Sequence, residues 1–242
     1  MILYGQTDVG KVRQINQDSF RIAKIGKLNL AVVCDGMGGA AGGSTASRTA
    51  CDVFLHTVKD RLAAAKDEPR LYEAVLRDAV DAANAQVFAL ASRNQELAGM
   101  GTTLCAVLAD ESRFWAVSVG DSRIYMFHDN RIVQLSHDHS YVQALLDSGT
   151  ITPDESKNHP NKNIITRAVG TQETVECDSF TMDFSADGLL LCSDGLTNFV
   201  GDDELNSDFM QYTNPEELAK AWIQSANAAG GGDNITAVIL RR

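Results

Sequence analysis

The sequence predicts an α+β domain with short strands flanked by long helices, and three observations carry that expectation. Strand-length apolar runs rich in β-branched or aromatic residues recur at 28–34, 102–108, 114–119, 123–127, 188–192 and 235–240, nearly all bounded by turn residues. Between the first two runs, two segments repeat their apolar residues with the 3.6-residue period of a helix. The chain has 242 residues, 44% of them hydrophobic, and no tandem repeat, low-complexity tract or linker, so one domain over residues 1–242 with a buried core is expected.

In chain order, LNLAVVC at 28–34 is the first buried strand. The first helix, 44–62, puts Ala46, Ala50, Val53, Phe54, Val58 and Leu62 on one face; the second, 71–93, does so with Val75, Leu76, Ala79, Ala83, Val87 and Leu90. AAKDEP at 64–69 connects them. The stretch FWAVSVGDSRIYMFHDNRIVQLS reads as a meander of consecutive strands turned at Gly120-Asp121 and Asp129-Asn130, which implies antiparallel pairing between neighbours. A short helix is expected at 138–146. Residues 147–163 hold Pro153 and Pro160 with few large apolar groups, the composition of a mobile surface segment. Asn214-Pro215-Glu216-Glu217 supplies a cap, a proline at the first helical position and an acidic first turn, and Gly230 stops that helix.

Charge and cysteine usage remove several functional classes. The 21 basic and 32 acidic side chains leave a formal charge of −11 with no Lys/Arg run, which argues against nucleic acid or an anionic membrane as partner. Cys34, Cys51, Cys105, Cys177 and Cys192 are dispersed and mostly inside apolar runs, so they read as reduced, buried side chains rather than a disulfide framework or zinc site. The start has no apolar stretch of signal-peptide length, and no run reaches a membrane span of ~18 residues. A cytoplasmic protein is expected.

The informative pattern is the placing of aspartates at strand ends. Asp35 leaves a buried strand in LAVVCDGMGG, Asp194 does so in LLLCSDGLTNF, Asp121 ends a strand in WAVSVGDSR, and Asp233 precedes one in GGGDNITAVIL. Any single Asp-Gly is an ordinary turn signal. Asp35, however, is followed by the small-residue run GMGGAAGGS and then a helix, which a hairpin does not require. Were these acids to converge, their repulsion would call for bound cations, and an all-oxygen donor set selects hard ions such as Mg²⁺ or Mn²⁺. Such ions point to phosphoryl chemistry by in-line attack of an activated water. In GKVRQINQDSF, Arg13 precedes Asp18 by five residues and offers a planar fork suited to phosphate oxygens.

Taken together, GKVRQINQDSF, VVCDGMGGAAGGSTAS, GMGTTLCAVL, WAVSVGDSRIYMF, LSHDHSYVQALLDSGTIT, NHPNKNIITRAVG, LLLCSDGLTNFV and GGGDNITAVIL resemble, in order and spacing, the bacterial branch of the protein phosphatase 2C family of metal-dependent serine/threonine phosphatases. The resemblance runs from about residue 4 to 240. It implies a central β-sandwich of two antiparallel sheets flanked on both sides by pairs of helices. It implies that Asp35 bridges two metals, that the Gly36 carbonyl binds one of them, and that Asp194 and Asp233 bind the other. Asp18 would hold a metal through water, and Asp121 would help Asp194 bind a third. Arg13 matches the phosphate clamp, and a flap would span about 139–163. Two Mn²⁺ or Mg²⁺ ions in the core site, with a third beside them, are the implied cofactors.

Two positions depart from the family pattern. Met37 stands where animal members carry a histidine that is a candidate general acid, and Ala40 stands where bacterial relatives often carry a histidine. The five histidines present, His56, His128, His137, His139 and His159, fall outside the metal motifs. The expected activity is hydrolysis of phosphoserine and phosphothreonine by a hydroxide bridging two metals, without a phosphoenzyme. Phosphorylated proteins, among them a Hanks-type kinase and its targets, are the partners the resemblance implies, for a monomer. The rivals are a phosphatase of small phosphomonoesters and a non-catalytic phosphoprotein-binding module; the latter would be expected to have lost Asp35, Asp194 or Asp233, and none is lost.

Overall fold

A computed structural model describes residues 1–65, 68–157 and 159–242, the side chain of Ala40 excepted. The expectation for Ala40, and part of the connection at 64–69, therefore lie outside the described residues. The strands are β1 (Ile2–Asp8), β2 (Asp18–Ile25), β3 (Leu28–Met37), β4 (Gly101–Thr102), β5 (Leu104–Ala109), β6 (Arg113–Val119), β7 (Arg123–His128), β8 (Arg131–Gln134), β9 (Asp178–Asp183), β10 (Gly188–Cys192) and β11 (Ile235–Arg241). The α-helices are α1 (Gly39–Ala65), α2 (Tyr72–Arg93), α3 (Tyr141–Asp147), α4 (Pro153–Lys157), α5 (Asp194–Thr197), α6 (Asp202–Gln211) and α7 (Pro215–Ala228).

The strands form two antiparallel sheets, one ordered β1-β11-β10-β7-β8 and the other β2-β3-β5-β6-β9, with β4 attached to β3. Alternation along each central strand divides its side chains between two apolar layers. On β3, Ala31 and Val33 face the other sheet, meeting Leu189, Leu191, Val238 and Leu240, while Leu30, Val32 and Cys34 pack with Phe54 of α1 and Leu76 of α2. On the far side, Leu190, Ile239 and Ala237 pack with Phe209 of α6 and Trp222 of α7. Because helices cover both outer faces, the central strands are apolar throughout, which is why they stand out in the sequence. The structure is the expected α+β sandwich with helices alongside. Among the described residues no helix is long and apolar enough to cross a membrane.

One expected pairing is wrong. Residues 113–128 are not a meander: β6 pairs with β5 and β9, whereas β7 pairs with β10 and β8, so Gly120-Asp121 carries the chain from one sheet to the other. Both edges of β6 are already taken, which leaves β7 no ladder to join. Gly120, at φ 95°, makes the crossing possible. The second turn is as expected: Asp129 and Asn130 have φ of 50° and 58°, the left-handed pair of a tight hairpin turn between β7 and β8. The helix expected at 44–62 begins five residues earlier, at Gly39, within the glycine-rich run. Asn214 caps α7 as expected, accepting a hydrogen bond from the Glu216 amide.

Candidate active site

The strand ends bring the separated motifs together at one end of the sandwich. Asp35 on β3, Asp121 in the β6–β7 crossing, Asp194 at the first position of α5 and Asp233 just before β11 all line a single cleft of about 500 Å³, joined by Arg13, Gly36 and Met37. Asp18 lies directly across the β2–β3 ladder from Asp35 and is buried. Its Oδ2 accepts hydrogen bonds from Ser193 Oγ and Thr236 Oγ1, both at 2.6 Å, while its Oδ1 has no partner. Among the described residues no N–H or hydroxyl donor reaches either this Oδ1 or the buried Oδ1 of Asp194.

Burial dominates the electrostatics of these acids. It pushes Asp18 up to about 7, against two hydroxyl donors that pull the other way, with the charges of Asp194 and Asp233 adding to the rise. Asp121 is pushed up to about 7 by burial and then by Asp194 and Asp138. Burial and the charges of Asp18, Asp194, Asp121 and Asp233 hold Asp35 well above the usual carboxylate range, and Asp194 is raised by burial and by Asp233. Left to itself, the protein therefore keeps protons on groups that would ionise freely in water.

Several residues that fix this geometry escaped the sequence analysis. The Asp35 amide donates to Thr103 Oγ1, and its carbonyl accepts from the Thr103 amide and from Thr102 Oγ1, each at 2.9 Å. Thr103 Oγ1 in turn lies 2.6 Å from Ser122 Oγ. Asn234 pins the loop that carries Arg13: its Nδ2 donates to the carbonyls of Val9 and Ile15, and its Oδ1 accepts from the Gln17 amide. The signal was present in GMGTT and GDN, whose polar residues have little reason to sit beside buried strands unless they bond backbone. At Gly36 a Cβ would fall 2.0 Å from the Gly43 carbonyl oxygen, so only glycine lets β3 pass under the start of α1.

Arg13 is half-exposed, and its Nη2 donates to Asp233 Oδ2 at 2.8 Å; that contact raises the guanidinium pKa further. Among the described residues no histidine lines the cleft, and Met37 does.

The donor set fits divalent ions that retain water. Two buried carboxylate oxygens without partners, acids held protonated by burial, and exclusively oxygen donors are what such ions would relieve. Among the described residues no three Asp, Glu, His or Cys side chains close around one point. The acids ring an open cleft instead, an arrangement suited to Mg²⁺ or Mn²⁺, which bind few carboxylates and keep several waters.

Comparison with known proteins identifies the family. Residues 9–227 match the family model for protein phosphatase 2C. The chain is 38% identical over 240 residues to the serine/threonine phosphatase stp of Listeria welshimeri, covering 98% of this chain and 94% of the relative. The crystal structure of Stp1 from Staphylococcus aureus superposes with a TM-score of 0.91 at 35% identity, covering 99% and 94% of the two chains. That of the PstP catalytic domain in complex with two manganese ions superposes with a TM-score of 0.85 at 34% identity, covering 98% and 96%. A two-sheet sandwich carrying its acids at one end, matched along nearly its whole length to bacterial phosphatases of this kind, places the chain in the protein phosphatase 2C family as a serine/threonine protein phosphatase.

Proposed function

We propose that the chain works as a single domain that removes phosphate from phosphoserine and phosphothreonine in proteins, using two Mn²⁺ or Mg²⁺ ions, with a third beside Asp121. The observation that carries this is the convergence of Asp35, Asp121, Asp194, Asp233 and Arg13 on one cleft above the buried Asp18. Asp35 and the Gly36 carbonyl would hold the core ions with Asp194 and Asp233, Asp18 would act through water, and Asp121 would share the third ion with Asp194. When bound, the ions supply activation of water and neutralise charge building on the phosphoryl oxygens.

The chain's own groups account for the remaining steps. The Arg13 fork orients two phosphate oxygens, exchanging its contact with Asp233 for the substrate. Ser193 and Thr236 keep Asp18 Oδ2 occupied, so that its free Oδ1 is the atom available to hold water. Among the described residues the cleft is lined by no cysteine, histidine or serine, and its one hydroxyl, of Thr103, is engaged by the Asp35 amide and Ser122, which supports direct transfer of the phosphoryl group to water. With no histidine at the cleft, the alkoxide leaving group takes its proton from water held there.

Residues 139–163 would form a flap, contributing Asn163 to the cleft wall. The exposed Val12, Ile15 and Ile164 suit contact with a polypeptide better than with a small phosphomonoester. In the cell it would be a cytoplasmic monomer opposing a Hanks-type kinase; the net charge of −11, with no long basic run, supports the reading that neither nucleic acid nor membrane is its partner. The test is phosphopeptide hydrolysis with Mn²⁺ by the wild type and Asp194→Asn. Activity in the first and its loss in the second is expected; a fully active Asp194→Asn would overturn the site.

A further inference from the structure

His139 is buried, at 5% exposure, and its environment fixes the state of its ring. The Gly120 amide donates to His139 Nδ1 at 3.0 Å. A backbone N–H can only donate, and so can Arg167, but Arg167 Nη1 beside Nε2 has Asp178 Oδ1 as its acceptor; Nδ1 is therefore the nitrogen without a proton, and the ring is neutral with its proton on Nε2. Nε2 lies 3.2 Å from Asp178 Oδ2, its acceptor, while Arg167 Nη1, 3.0 Å from Nε2, donates to Asp178 Oδ1 at 2.9 Å. The backbone repeats the link: the His139 amide donates to the Gly120 carbonyl at 2.9 Å, and the His139 carbonyl accepts from the Thr166 amide at 2.8 Å. Ser140 bridges to Ile165, and the Tyr141 amide donates to the Ile164 carbonyl. His139 is thus the point where both ends of the 139–166 segment meet the crossing whose next residue is Asp121.

We propose that His139 is a positioning residue: its neutral ring latches the base of this segment to Gly120 and thereby aims Asp121 into the cleft. This rests on the assignment of Asp121 as a cation ligand. The crossing has no ladder of its own at Gly120, since β6 ends at Val119 and β7 begins at Arg123. Both polar groups of the Gly120 backbone are held by His139, so removing the ring frees the amide and loosens the turn that sets the Asp121 carboxylate. Burial keeps the ring below the ordinary histidine range; it is faced by Asp178 on β9, by Arg167 and by His137.

The test uses the full chain and Mn²⁺ alone. Nitrogen-15 spectra of wild-type histidines should show one ring protonated only on Nε2 that disappears in His139→Asn; a proton on Nδ1 would overturn the proposal. In calorimetric titrations, His139→Phe and His139→Gln should weaken the weakest Mn²⁺ site by roughly 10- to 100-fold and leave the tighter ones unchanged. His139→Asn, whose amide oxygen can accept from Gly120, should stay within about threefold of wild type. Equal weakening in Asn, Gln and Phe, or a loss confined to melting temperature, would overturn it. Asp121→Asn separates the two claims. Loss of the weakest site there but not in His139→Phe or His139→Gln overturns the latch alone, whereas an unchanged Asp121→Asn titration overturns the cation assignment and the proposal with it.

Discussion

Asp18 and Asp35 stand directly opposite one another in the β2–β3 ladder, a like-charged pair on one face of the sheet. Such pairs are destabilising when ionised, and this one is also buried with Asp194 nearby. The sign of the resulting pH dependence is set by the raised values. In the unfolded chain these carboxyls ionise near 3.8, whereas in the folded protein Asp18 and Asp121 keep their protons up to about 7. The folded state binds more protons in that interval, so Asp18 and Asp121 each remove stability as pH climbs from about 4 to 7, and Asp35 and Asp194, raised as well, act in the same direction. His139, held below the ordinary histidine range, acts in the opposite direction, but it is one group against four raised acids. Chelated protein should therefore melt at a lower temperature at about pH 8 than at about pH 5.5, and Mn²⁺ should raise the melting temperature more at the higher pH. Thermal scans with and without chelator check this; a chelated melting temperature that rises over the interval contradicts it.

The same repulsion gives Asp35→Asn two effects of opposite sign. Phosphopeptide hydrolysis should fall about a thousandfold or more, since this acid is the one proposed to hold the core ions. In chelator at about pH 7, however, the variant should melt higher than the wild type, because Asp35, buried among Asp18, Asp194, Asp121 and Asp233, must take up a proton on folding and an amide in its place need not. Paired activity and melting measurements check both. A variant that is inactive and less stable in chelator would mean that Asp35 supports the fold rather than being strained by it.

The central strands and long helices were legible because each element announces itself through a local period: β3, β5 and β10 are apolar on both faces, and α1 and α2 carry one apolar stripe. The edge strands β1, β2 and β9 were not, since each leaves one side unpaired and mixes polar with half-buried residues. The β6–β7 crossing was misread because a Gly-Asp turn has the same sequence whether it closes a hairpin or changes sheet; only the occupation of both edges of β6 decides. The acids of the site were legible for a different reason. Aspartate at the mouth of a buried strand is locally costly, and the cost recurs at Asp35, Asp121, Asp194 and Asp233. Among their supports, GMGTT and GDN mark Thr103 and Asn234 as polar residues beside buried strands, but the long-range hydrogen-bond partners of Thr103, Ser193, Asn234 and His139 are recorded in no local pattern.

Arg13 should be separable from the fold. Its contact with Asp233 is a half-exposed ion pair, worth under about 1 kcal/mol. Arg13→Ala should accordingly leave the melting temperature nearly unchanged while raising KM for a phosphopeptide by about tenfold or more, because a charge-assisted fork on the phosphate is lost. Arg13→Lys should recover only part of the effect, since a point charge does not reproduce two parallel hydrogen bonds. Steady-state kinetics across the three proteins check this, and a KM for Arg13→Ala equal to that of wild type would remove Arg13 from the phosphate site.

Gly195 tests how tightly the turns that carry Asp194 and Asp233 are packed. A Cβ at this position would fall 1.9 Å from the Asn234 carbonyl oxygen and 3.4 Å from Asp233 Cβ, so Gly195→Ala must push the turn before β11 away from α5. Overpacking of this kind costs about 1–3 kcal/mol, and here the displaced residue is the one that holds the Val9, Ile15 and Gln17 backbone, and with it the Arg13 loop. Gly195→Ala should therefore lower the melting temperature and also weaken both Mn²⁺ binding and phosphopeptide KM. Gly201→Ala, where a Cβ meets nothing within 4 Å but the N-cap of α6 is altered, should cost about 1 kcal/mol of stability and leave both unchanged. Calorimetry and kinetics on the pair distinguish local crowding at the site from a general intolerance of substitution. A Gly195→Ala protein that melts lower yet binds Mn²⁺ and phosphopeptide like the wild type would show that Asn234 can move without disturbing Asp233 or Arg13.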